Sequence, residues 1–209
     1  MSGHLPPKSS VKRWLQTTNH KDIGVLYIAF GTVAALWGGT DAMMMRTELI
    51  TPAANVWSVQ TYDALFTTHG LTMLFFFVTP VFTGIGNYFL PLLIAADDMA
   101  FPRVNALSFW LLPPSLLLVR GGLVTELVGK ALQAVGMGVG ALFRLQPPAT
   151  GWTFYTPMSV ASGNPQLDLV LLGLHLSGVA TTLAAINFIV TIVTERGDGG
   201  TWANLDIFS

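Results

Sequence analysis

Four long apolar runs set the limits on what this chain can become. They cover residues 23–45, 64–94, 104–124 and 167–193, and a helix needs about 20 residues to cross a bilayer. Within hydrocarbon every backbone N–H and C=O must be paired inside the segment, so such runs read as transmembrane α-helices. The fold class is therefore all-α integral membrane. The third run reaches span length only by continuing past Val119 to Val124, which sets Arg120 near an interface where its side chain can snorkel. Composition agrees: 52% of the 209 residues are hydrophobic and 10% charged, against about 25% charged in soluble domains.

Residues 125–165 join the third and fourth spans. Glu126, Lys130, Gln133 and Arg144 keep this stretch from being a further span, and it reads as an interfacial helix followed by an ordered loop. The first 22 residues carry Lys8, Lys12, Arg13 and Lys21 without the apolar core of a cleavable signal. Counting basic residues puts the amino-terminal tail, Arg103 and Arg196 on one side and Arg46, Arg120, Lys130 and Arg144 on the other, which favours a cytoplasmic amino terminus. The last residues, Asn204 to Ser209, turn apolar again, as expected of a chain cut at the entrance to a fifth span. A net charge of −1 gives no field for nucleic acid. With no cysteine, disulfides, iron–sulfur clusters and thiolate-bound metals are excluded, so any metal must be held by nitrogen or oxygen.

Histidine is the obvious nitrogen donor, and there are four. His69 lies inside the second span, where an unpaired imidazole costs several kcal/mol. Two readings stay open: a hydrogen bond to a carbonyl or hydroxyl of a neighbouring helix, or ligation of a metal or haem. Thr67, Thr68 and Gly70 favour ligation, because small residues let a planar cofactor approach the backbone. His175, in the fourth span, has no second histidine one turn away and reads as structural. His4 and His20 precede the first span and read as solvated or interfacial.

Asp97 and Asp98 follow the second span directly, either as a polar hairpin offset by Arg103 or as a proton-collecting pair at the membrane surface. Asn87, Asn105, Ser177, Thr181 and Asn187 supply polar groups inside the spans, serving as interhelical glue or as a wet line through dry protein. Asp41 and Arg46 close the first span, with an ion pair or cap as the default and a cofactor substituent as the alternative partner of Arg46.

The strings themselves carry a resemblance. Thr17-Thr18-Asn19-His20-Lys21-Asp22, Thr68-His69-Gly70, Gly86-Asn87-Tyr88, Asp98-Met99-Ala100-Phe101-Pro102-Arg103-Val104-Asn105, Phe109-Trp110-Leu111-Leu112-Pro113-Pro114, Gly151-Trp152-Thr153 and Ala185-Ile186-Asn187-Phe188 resemble, in order, the amino-terminal third of subunit one of the haem–copper respiratory oxidases. Only about residues 121–145 are unlike most members. The resemblance implies four helices of a twelve-helix core that reduces dioxygen to water while pumping protons, with the 125–165 insert between helices three and four. It implies that His69 is an axial ligand of the low-spin haem, of a or b type, that Arg46 contacts the haem periphery, and that Trp152 lies near its propionates. It implies that Asp98 stands at the mouth of a proton-uptake channel lined by Asn87, Asn105, Thr181 and Asn187. The high-spin haem and copper ligands belong to later helices, so no catalytic residue of oxygen reduction is expected here. Implied partners are the remaining helices, oxidase subunits II and III, the lipid bilayer, and a cytochrome c, copper protein or quinol as donor, in a prokaryotic plasma membrane.

There are departures from the family pattern. Ala106 follows Asn105 where a second asparagine is usual, Asp97 replaces a proline, and Ala180 replaces a serine beside Thr181. The nitric-oxide-reducing relatives share the plan, but Asp98, Asn87 and Asn105 speak for a proton-channelled oxygen reductase. The alternatives are a self-contained four-span protein that binds haem or conducts protons without turnover, and an inactive remnant.

Overall fold

The computed structural model describes residues 7, 9–50, 52, 56–137, 148–160, 164–197 and 200–205. His4, Arg144 and the apolar end from Asp206 to Ser209 lie outside them. Among the described residues all regular structure is helical: α1 Val11–Gln16, α2 His20–Glu48, α3 Val59–Leu71, a π-helical stretch Thr72–Val78, α4 Thr79–Leu93, α5 Pro102–Trp110, α6 Leu112–Ala134, α7 Pro165–Thr194 and a 3₁₀ turn Trp202–Asn204. Four continuous units are long and apolar enough to cross a membrane: His20–Glu48, Val59–Leu93, Pro102–Ala134 and Gln166–Thr194.

Local chemistry sets the helix starts and interruptions. Asn19, Ser58 and Asn164 each accept a backbone N–H of the first turn, the side-chain capping that helix amino termini require. Mid-span, Pro80 has no N–H for the Phe76 carbonyl and its ring crowds that group, so the preceding turn widens to π geometry; the Thr79 hydroxyl donates to Leu74 O at 2.9 Å there. Pro91 interrupts α4 in the same way and leaves the Asn87 carbonyl without its helical donor.

Against hydrocarbon, helices associate by close packing of small residues rather than by water exclusion. Antiparallel α2 and α4 touch backbone to backbone at Gly24 and Gly84, where a Cβ on either would lie 2.8 Å from the other's carbonyl oxygen. Further along, α2 meets the π-helical stretch and α3, while α6 runs antiparallel to α7, with Ser115 donating to Gly173 O. Three apolar layers fill the bundle, centred on Ile23, Tyr27 and Phe109, on Ala34, Phe76 and Val119, and on Ala64, Leu65 and Leu123.

Three expectations are corrected here. The segment after residue 124 does not start a separate interfacial helix: α6 runs unbroken through Gly121 and Gly122 to Ala134. Arg120 therefore sits in the middle of a helix and cannot snorkel. It is 1% exposed and makes a bidentate pair with Asp41, at 2.7 Å for both contacts. Consequently Asp41 pairs across the bundle and not with Arg46, whose side chain is exposed.

Candidate functional site

His69 stands one turn before the π-helical stretch, on the face of α3 that meets α2. Its Nδ1 lies 2.8 Å from the Gly38 carbonyl, which can only accept, so the ring is the Nδ1–H tautomer with the lone pair on Nε2. Nε2 has no hydrogen-bond partner among the described residues. A carbonyl holding one ring nitrogen while the other is available is the arrangement that orients metal-binding imidazoles. On the adjoining surface the Gly151-Trp152-Thr153 loop docks on α3: the Gly151 N–H donates to the Thr67 hydroxyl at 2.9 Å, and Trp152 covers Gly70 so closely that a Cβ there would lie 3.1 Å from it. Gly151, at φ +72°, makes the turn that allows this. Trp152, 41% exposed, thus packs on the residue that follows His69 in the chain. Arg46 is not drawn into this contact directly; it lies eight residues beyond Gly38 on α2, about 12 Å along the axis.

The second group lies at the other end of α4. His20 is 2% exposed, not solvated, and its Nδ1 donates to Asn87 O at 2.9 Å. This is the carbonyl that Pro91 leaves unpaired, and a buried orphan acceptor is costly enough to recruit the imidazole. The backbone N–H groups of His20 and Met99 both donate to one Asp98 oxygen, at 3.2 and 2.8 Å. Arg103 forms no ion pair with either aspartate among the described residues.

Beyond Asp98 the polar line divides. Asn87 and Asn105 are fully buried, and Asn87 Oδ1 together with both amide atoms of Asn105 have no partner in the structure. Asn187 is instead committed to the fold: its amide takes the Phe101 N–H at 2.9 Å and donates to Phe101 O at 3.3 Å, while Thr191 accepts from Ala100 N. Thr181 bonds Ser177 O within α7 and borders a cavity of about 10 Å³ with Tyr27, Thr79, Thr83 and Leu112, at the threshold for one water. His175 bonds Leu171 O at 2.7 Å on the exposed face of α7.

Sequence reasoning missed the cluster around Arg120. Asp41, Thr72 and Trp37 all converge on it, and the only sequence signal was an arginine and an aspartate each set within an apolar run.

The comparisons with known proteins agree with this frame. The family model described as "Cytochrome C and Quinol oxidase polypeptide I" matches residues 22–209. The chain is 47% identical over 206 residues, 99% of its length, to "Cytochrome c oxidase polypeptide 1" of Halobacterium salinarum, of which it covers 32%. It is 38% identical to "Cytochrome c oxidase subunit 1" of Candida albicans, over 96% of this chain and 35% of that one. The chain spans about a third of the length of these curated relatives. It belongs to the cytochrome c and quinol oxidase polypeptide I family.

Proposed function

We propose that this chain forms the amino-terminal part of the catalytic subunit of a terminal respiratory oxidase, one that reduces dioxygen to water with coupled proton pumping. The observation that carries the reading is the His69 ring, oriented by the Gly38 carbonyl at Nδ1 with Nε2 unpartnered among the described residues. His69 would hold the haem iron, Trp152, seated on Gly70, would lie near its propionates, and Arg46 would meet its periphery. A haem ligated by two histidines is six-coordinate and supplies one-electron transfer, leaving oxygen chemistry to a neighbouring high-spin haem and copper. The Gly38 carbonyl fixes the tautomer and the orientation of the ring. Ring rotation is then not free to interrupt ligation.

Asp98 is read as the entrance of a proton-uptake channel. The three unpartnered amide atoms of Asn87 and Asn105 support this, because such groups are satisfied by internal water, and water chains carry protons. Thr181, beside its small cavity, continues the line; Asn187 would act by holding Phe101 and hence the turn that presents Asp98. Subunits II and III, a cytochrome c, copper protein or quinol donor, and a prokaryotic plasma membrane with the amino terminus in the cytoplasm complete the proposal.

The test is the reduced-minus-oxidised spectrum of the membrane-expressed oxidase carrying His69→Ala. Selective loss of the low-spin haem bands is expected. An unchanged low-spin spectrum would reduce His69 to a packing residue.

A further inference from the structure

We infer that the buried Asp41–Arg120 pair is a positioning device for the His69 ring, a role that rests on the haem reading above. Asp41 and Gly38 lie three residues apart on one face of α2, and the continuous helix formed by α3 and the π-helical stretch answers with Thr68 and Thr72, which bracket His69 in sequence. Arg120, reaching across from α6, donates to the Thr72 hydroxyl at 2.8 Å, while the single proton of the Thr68 hydroxyl has Ala64 O at 2.9 Å as its nearest acceptor and the Asp41 carboxylate at 3.2 Å. The guanidinium is held flat by its bidentate contact and by the Trp37 ring, 4.3 Å from its centre. Side chains of both partners are nearly sealed, at 1% and 3% exposure, and Arg120 Nε has no partner. The pair makes no hydrogen bond to His69 itself; it reaches the helix on either side of that residue.

Stability alone does not account for it. Replacing a buried ion pair with apolar residues of similar volume is often neutral or stabilising, whereas directional bonds fix one arrangement among several apolar ones. Here the fixed quantity is the rotation and register of α3 on α2. The Thr72 hydroxyl, on the continuous helix that bears His69, is tied to a guanidinium anchored on α6 and held by Asp41 of α2, and the same α2 turn supplies the carbonyl that holds Nδ1. A functional imidazole needs such support to stay within about 0.5 Å of its working position. With leucine-like packing in place of the pair, α3 could settle a fraction of an ångström away with no loss of burial, and the ring plane would turn with it.

The experiment uses the assembled oxidase carrying Asp41→Leu with Arg120→Met, and separately Thr72→Val, which keeps the ion pair but removes the Arg120–Thr72 bond to the helix that bears His69. Three quantities are read: haem content, the low-spin ferric g values, which follow the relative orientation of the two axial imidazole planes, and the low-spin midpoint potential. The double variant is expected to retain wild-type haem content with displaced g values and potential; Thr72→Val is expected to shift both in the same direction by less. Wild-type g values and potential in the variants that assemble would overturn the inference, and should the double variant fail to assemble, Thr72→Val decides alone. A His69→Ala control separates the two levels: loss of the low-spin signal sustains the haem reading whatever the pair does, and its retention would overturn that reading together with this inference.

Discussion

His20 offers the sharpest energetic test, because its partner was made needy by a second residue. Pro91 deprives the Asn87 carbonyl of a helical donor, and the His20 imidazole supplies one at 2.9 Å in a fully buried setting. His20→Leu keeps an apolar side chain of comparable bulk but removes the donor, so the carbonyl is left unsatisfied at about 1–3 kcal/mol. At 1.4 kcal/mol per factor of ten this is a roughly 5- to 150-fold increase in local opening of α4. Peptide-resolved hydrogen exchange of the membrane-embedded protein over residues 84–96 reads that quantity. In a Pro91→Ala background residue 91 regains its N–H and can bond Asn87 O, so the same His20→Leu change is expected to cost no more than about twofold, the 0.3–0.5 kcal/mol scatter of independent changes. Equal effects in both backgrounds would refute the link between Pro91 and His20.

Gly24→Val would drive Cβ to within 2.8 Å of Gly84 O and force α2 from α4, an overpacking cost of about 1–3 kcal/mol, whereas Gly39→Ala meets nothing within 4 Å and is expected to be neutral; the thermal midpoints of the detergent-solubilised variants compare them. Thr67→Val removes the acceptor of the Gly151 N–H, worth about 1 kcal/mol, and is expected to raise protease cleavage within residues 150–160 about fivefold, with unchanged cleavage contradicting the docking.

The four membrane-crossing units were legible because length and apolarity decide them before tertiary structure enters. What the sequence hid depended on partners distant along the chain. Arg120 looked like an interfacial arginine because the apolar run ends at Val124, yet α6 continues ten residues further to Ala134, and Asp41, 79 residues away, receives the charge. His20 looked interfacial because it opens a helix after a polar tail; only the position of Pro91 opposite it explains its burial. Trp152 was assigned by resemblance alone, and no sequence signal announced the contact it makes with Gly70.

The asparagines show why polar residues in spans cannot be treated as one class. Asn187 has both amide atoms spent on Phe101, so its replacement breaks the docking of the α4–α5 turn on α7 before any proton is at issue. Asn87 is divided, with Nδ2 bonded to Thr83 O at 3.0 Å and Oδ1 unpartnered. Asn105 has neither amide atom engaged although its backbone carbonyl accepts the Ser108 hydroxyl, so nothing in the packing requires an amide there. A leucine would fill similar space without burying two unsatisfied groups. The fold thus gives Asn187 a packing role and gives the Asn105 amide none among the described residues, so Asn105→Leu, more than any change at Asn187, separates the proposed proton channel from the packing of the helices.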